Sequence, residues 1–241
     1  MRATTFLFSL LALGNAAFAH HSEERHADRQ HAAVRRADAS TPSSSSASAP
    51  ITSAALMQAE SLAAIPKEAH LVFNPTVYLD VIFPQANGSL VQLATAGSTL
   101  TEAETGVVPE FAISSNASSL TGFVVIAVDL DAPFRTAPVL AQWLHFMGGA
   151  FMPEPTADLS PNSDVVMLSS SVKPVMTWEN PDPQGTEPHR YVFLLWEQSP
   201  QFCSQNIVKP NQSRALFNVS KFAEEVGLGN PIGGTFMLVA A

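Results

Sequence analysis

Apolar and polar positions along the chain alternate in short runs broken by Pro, Gly, Asn and Ser, the pattern of strands rather than helices. Leu71 to Val72, Thr76 to Phe83, Leu90 to Ala94, Phe111 to Ile113, Gly122 to Val128, Gln142 to Met147, Val165 to Leu168, Arg190 to Glu197 and Thr235 to Val239 are expected as strands. Helical spacing is clear only in Ala54 to Ala64, closed by Pro66, and in Val219 to Val226, where Phe222 and Val226 stand four apart. The chain is therefore expected to be mainly β, an antiparallel β-sandwich with a few small peripheral helices. One stretch stands out. Phe123 to Val128 has no polar alternation and reads as a strand buried on both faces, which leaves the core at Asp129, Asp131 and Pro133. A period of two would set both carboxylates on one side, at the mouth of an apolar interior. Such a pair needs partners. The alternative is a pair of strand-end acids in water, capping backbone amides in an Asx turn.

Ahead of this pattern the chain is of another kind. Residues 1–19 carry Arg2, an apolar centre and the small-x-small ending Ala17-Phe18-Ala19, the layout of a secretory signal peptide. Residues 20–36 hold His20, His21, His26 and His31 and end in Arg35-Arg36, a pro-segment with a dibasic processing site. A His-rich tract can bind metal, but a solvated, disposable leader is the preferred reading. Residues 37–53 form a Ser/Pro-rich linker without the apolar surface to fold. One domain, 54–241, remains, and the protein is expected to be secreted, in the extracellular space, the cell wall or the vacuole, as a monomer.

Charge and cysteine content narrow the partners. The net charge of −9 argues against a nucleic-acid partner, so any bound anion must be held locally. No segment after the leader is long and apolar enough for a transmembrane span. Cys203 stands alone, so stability must come from the core rather than from disulfides. Sequons at Asn87, Asn116, Asn211 and Asn218 fit an exported glycoprotein. GxSxG, HExxH, Walker and GxGxxG patterns are all missing, and Cys203 has no local His, so no catalytic residue is assigned.

The remaining polar residues in apolar settings are His145, in QWLHFMGG, and His189 and Tyr191, in EPHRYVFLLWEQ. A lone His on a strand is more often a hydrogen-bonded core residue than a ligand. Together with Asp129 and Asp131, however, two His and a Tyr could converge at one end of the sheet. A carboxylate can hold a His protonated, and His⁺ with the Tyr hydroxyl could then donate to a phosphate or carboxylate. The same Asp129, Asp131, His145 and His189 would also serve a metal-dependent hydrolase, although their scattered spacing matches no metal motif.

The order DLDAPFR, QWLHF, NPDPQGTEPHRYVFLLWEQ and FNVSKFAEEVGLGNPIGGTF resembles the phosphatidylethanolamine-binding protein family, which includes Raf kinase inhibitor protein, plant flowering-time regulators and inhibitors of serine carboxypeptidases. The resemblance runs from about Phe73 to the C-terminus. It implies a β-sandwich with a small anion pocket that takes a phospholipid headgroup phosphate or a similar small anion. Matched by motif, Asp129, Asp131 and Pro133 belong to the first box, with Arg135 after it. His145 follows Trp143, and His189 and Tyr191 belong to the second box, with Pro181 and Pro183 at the pocket's lip. His145 and His189 would donate to the anion, Asp129 and Asp131 would orient and charge them, and Trp143 and Tyr191 would supply apolar walls.

Leu130, Leu144 and Glu187-Pro188 depart from the family pattern, and animal members continue past the position of Ala241 into a helix, so a more open pocket is expected. The resemblance thus implies a binding protein rather than an enzyme, with no cofactor or metal. Its partner would be a phospholipid headgroup or other small anion, or alternatively a serine carboxypeptidase. The family's carboxypeptidase inhibitors also use an N-terminal segment.

Overall fold

The computed structural model describes residues 66–93, 95–114, 122–154 and 165–241. Its strands are β1 (Leu79–Pro84), β2 (Leu90–Gln92), β3 (Ser98–Thr101), β4 (Glu110–Ser114), β5 (Phe123–Asp129), β6 (Trp143–Pro153), β7 (Val165–Ser169), β8 (His189–Glu197) and β9 (Gly233–Ala240). Its helices are short: α1 (Pro66–Ala69), α2 (Glu102–Thr105), α3 (Pro200–Cys203) and α4 (Val219–Glu225). The leader, the pro-segment, the linker and the expected helix Ala54 to Ala64 lie outside the described residues, as does Asn116. Asn87, Asn211 and Asn218 are exposed, and no helix among the described residues is long and apolar enough to cross a membrane.

The chain is mainly β as expected, but the sheet differs from an antiparallel sandwich. All nine strands form one sheet in the order β2-β1-β4-β7-β6-β5-β8-β9-β3, and the β3–β9 pair is parallel. Strand β6 makes the sheet continuous. It pairs with β5 from Trp143 to Phe151 and then passes to β7 through Met152 and Pro153. It runs beyond the expected Met147 because Gly148 lets the strand pass between two rings. A Cβ there would lie 2.8 Å from both Phe146 and Phe151.

Two apolar clusters explain why β5 has no polar face. On one side Phe123, Val125 and Ala127 join Phe193 and Leu195 of β8, Met237 of β9, and Leu79, Val81, Phe83 and Phe111 of β1 and β4. Strands distant in the sheet order thus meet, and the sheet curls round this core. On the other side Val124, Ile126 and Val128 join Val192, Leu194 and Trp196, covered by Phe202 of α3 and by Val219 and Phe222 of α4. Burial on both faces makes the central strands the least replaceable part of the fold.

The segment Leu71 to Val72 is not a strand, and the Thr76 run becomes one only at Leu79. Strand β3 and helix α2 were not expected. Only Leu100 of β3 is buried, so its pattern carries little signal. For α2 a signal was present: Thr101 and Glu104 form a capping box, with the Glu104 amide donating to Thr101 Oγ1 and the Thr101 amide to Glu104 Oε2.

Asp80, buried in β1, accepts a short hydrogen bond from Gln92 Nε2 while its Oδ1 is unpartnered. Burial pushes its carboxyl up to about 6, against the opposing hydrogen bonds from Gln92 and the Val81 backbone. The folded state therefore binds this proton more tightly than the unfolded chain, and stability is lost as pH rises from about 4 through about 6, with the full cost present above that. Asp80→Asn is expected to stabilise the protein by about 1–3 kcal/mol at about pH 8 and by much less at about pH 4, read from urea unfolding at both values.

Candidate functional site

Where β5 ends, Asp129 performs two tasks. Its Oδ1 accepts from the Asp131 amide at 2.7 Å, forming the Asx turn, and its Oδ2 accepts from His189 Nδ1 at 2.8 Å. The Asx turn of the second reading is thus present, but Asp129 is buried rather than in water. The neighbouring strand β8 supplies His189 and Tyr191 on one side and Arg190 on the other, as alternation requires.

Asp131 departs from the expectation. The strand ends at Asp129 and the chain bends at Leu130, so the period of two does not carry to Asp131. Its carboxylate is fully buried against Arg190 instead, accepting from the amide at 2.8 Å, from Nε at 3.0 Å and from Nη2 at 2.7 Å. Arg190 Nη1 reaches on to Glu68 at 2.9 Å. The two carboxylates do not share a site. Arg135 is likewise structural, its Nη1 donating to the Pro188 carbonyl at 2.7 Å just ahead of His189.

A cavity of about 310 Å³ opens at this end of β5, β6 and β8. Asp129, Pro133, Trp143, His145, His189 and Tyr191 line it, all six expected from the sequence. Ala132, Leu140, Glu179, Asn180, Asp182 and Gln184 complete the lining. Asp131 is absent from it, and so are Pro181 and Pro183. The two prolines are buried in the segment before β8, which turns Asn180, Asp182 and Gln184 toward the cavity in their place.

Glu179 is the residue that sequence reasoning missed. Its carbonyl accepts from His145 Nδ1 at 2.7 Å, and its amide donates to the His145 carbonyl at 3.0 Å. Its carboxylate takes Trp143 Nε1 at 2.9 Å and Arg214 Nε at 2.6 Å. Arg214 is anchored in turn on the carbonyls of Leu144, His145 and Thr177. Trp143 and His145 are therefore held from one point. No local pattern in TWENPDP marks Glu179 for this role, because the acceptor for His145 is a backbone carbonyl.

The two histidines differ in chemistry. A carbonyl can only accept, so His145 carries its proton on Nδ1 and keeps a lone pair on Nε2 unless the ring is charged. Burial pushes its pKa down, outweighing the Glu179 carbonyl and the Asp129 charge, and Arg214 opposes the cation further. His145 is thus neutral at pH 7 and does not offer the second donor expected of it. Burial would also lower His189, but the hydrogen bond and charge of Asp129, helped by Asp131 and the Gln184 backbone, raise it above an ordinary histidine. Its Nε2 is buried with no well-formed hydrogen bond in the protein. Tyr191 stands beside both, its ring centroid 5.0 Å from that of His145 and 6.3 Å from that of His189. Burial pushes the Tyr191 hydroxyl up, so it remains protonated.

Among the described residues, no three His, Cys, Asp or Glu side chains converge as a metal-binding group. Of the four hydrolase candidates, Asp131 turns away to Arg190, while His189 bonds Asp129 and His145 bonds the Glu179 carbonyl, each through Nδ1 of the ring.

The family model described as phosphatidylethanolamine-binding protein matches residues 85–237, which contain the whole cavity lining. The chain is similar to CEN-like protein 1 of Nicotiana tabacum, 30% identical over 165 residues that span 68% of this chain and 81% of that protein. It is also similar to CEN-like protein 4 of the same plant, 31% identical over 114 residues, 47% of this chain and 56% of that one. Among solved structures it resembles the carboxypeptidase Y inhibitor, determined in complex with its cognate proteinase, with a TM-score of 0.59 and 21% identity over 78% of this chain and 96% of that one. The phosphatidylethanolamine-binding protein of Plasmodium vivax follows with a TM-score of 0.53 and 18% identity, covering 76% and 97%. Both structural likenesses speak to the fold.

Proposed function

Because this chain belongs to the phosphatidylethanolamine-binding protein family, we propose that its cavity binds a phosphate-bearing phospholipid headgroup, with His189 as the cationic donor to the phosphate. His189 Nε2 is the observation that carries this reading. A buried N–H without a well-formed hydrogen bond costs on the order of 1–3 kcal/mol, and an anion in the cavity would remove that cost. Asp129 supports the role from behind by keeping the ring charged.

The charges round the cavity favour a zwitterion over a bare anion. The Asp129 charge is offset by His189 and that of Glu179 by Arg214, which leaves Asp182 as the uncompensated charge of the lining. A ligand with an ammonium beside its phosphate would meet Asp182 and the Nε2 lone pair of neutral His145, while the phosphate accepts from His189. Trp143 and Tyr191 would then pack on the linking carbons. Export, read from residues 1–19, would give the cavity headgroups outside the cell or in the vacuole. Carboxypeptidase inhibition would also draw on the N-terminal segment, which lies outside the described residues.

The test is a pH profile with glycerophosphoethanolamine, whose phosphodiester does not titrate across the histidine range. His189 donates from Nε2 only when charged, so affinity is expected to hold at neutral pH and to fade as pH rises through its raised pKa. In Asp129→Asn burial is left unopposed by that carboxylate, and the fade is expected to move below the ordinary histidine pKa of about 6.5. A wild-type profile that stays flat from about pH 5.5 to about 9 would sink the proposal.

A further inference from the structure

A second cavity, of about 510 Å³, lies at the opposite end of the same strands. In β5, Asp129 pairs with Trp143 at the His189 end, whereas Phe123 pairs with Phe151 at the other. Gly149 and Ala150 of β6 and Gln198, just past β8, border this second cavity, and α3 and the chain after it close the far side.

Its lining is apolar at the base and basic at the rim. Phe202 and Val208 are buried, Val175 is half-buried, and Val172 is 53% exposed beside them. Two of the wall amides are already engaged. Gln198 accepts from the Ala150 amide and donates to Cys203 Sγ, and Gln205 accepts from the amides of Ile207 and Val208 and donates to the Val208 carbonyl. Among the described residues no Asp or Glu lines the cavity, although the chain carries a net charge of −9. Lys173 and Lys209 both do. Among the described side chains the other cations have partners: Arg135 with a carbonyl, Arg190 with Asp131 and Glu68, Arg214 with Glu179, and Lys221 with Glu225. The ammonium groups of Lys173 and Lys209 have none.

Two unpaired cations over an apolar floor specify an amphiphile of opposite charge. We propose that this cavity is a second binding site, for an amphipathic monoanion of the long-chain carboxylate class, its hydrocarbon against Val175, Phe202 and Val208 and its carboxylate drawn to Lys173 and Lys209. The site is independent of the His189 cavity and of the function proposed for it.

Cys203 gives a direct readout, because it lines this cavity, is exposed and is the single cysteine of the chain. The full chain would be alkylated with iodoacetamide while dodecanoate is titrated below its micelle concentration. Dodecanoate is expected to slow Cys203 alkylation saturably. The double variant Lys173→Gln/Lys209→Gln, measured against its own ligand-free rate, is expected to need roughly tenfold more dodecanoate, the scale of two solvent-facing charge contacts. Dodecyltrimethylammonium, with the same tail and the opposite charge, is expected to protect poorly. The proposal is overturned if dodecanoate leaves the rate unchanged, if the cationic detergent protects as well, or if the double variant is protected at the wild-type concentration.

Discussion

Replacing Arg190 by methionine is expected to destabilise the protein by about 3–5 kcal/mol, the scale for breaking a buried ion pair from one side. Asp131 is fully buried, and Arg190 gives it two side-chain hydrogen bonds as well as a backbone one. Methionine fills much of the arginine volume but leaves the carboxylate with the residue 190 amide alone. The loss therefore measures a stranded charge rather than a cavity. Asp131→Asn in the same chain removes that charge, so the double variant is expected to be more stable than Arg190→Met, as read from urea unfolding midpoints. If the arginine variant lost less than about 1 kcal/mol, Asp131 would have solvent or a second partner and its assignment as a structural acid would fail. Because the pair lies off the cavity lining, the effect belongs to the fold.

The same pair shows where the sequence was legible and where it was not. Phe123 to Val128 was readable because burial on both faces removes polar alternation, and the structure covers it on both faces. His189 and Tyr191 on one side of β8 follow from the strand period. Asp131 was misread because the period ends with the strand, and one bend at Leu130 sends its carboxylate to Arg190. Glu179 left no mark because its hold on His145 uses a backbone carbonyl, which every residue possesses. For the same reason the neutral state of His145 could not be read from residue types. The continuity of the sheet depends on β6 being long enough to pair on both sides, and β3 depends on a parallel partner, β9, far along the chain. Local patterns record burial well and long-range pairing poorly.

The family match over residues 85–237 spans both boxes and the Trp143–His145 segment between them. The structure adds a division of labour between the two histidines. His189 is raised and has no well-formed hydrogen bond at Nε2, while His145 is lowered and committed at Nδ1. Under the proposed function, one ring would donate to the phosphate and the other would accept from the ligand's ammonium.

The central claim is that His189 is the anion's donor, and calorimetric titration of glycerophosphoethanolamine into wild type and His189→Gln tests it most directly. Glutamine keeps an amide to partner Asp129 but carries no charge, so the fold is expected to survive. Affinity at about pH 6.5 is expected to fall roughly hundredfold, the loss of a buried charge-assisted hydrogen bond worth about 2–5 kcal/mol. Binding within about twofold of wild type in a folded variant would contradict the account, because no other cation among the described residues lines the cavity.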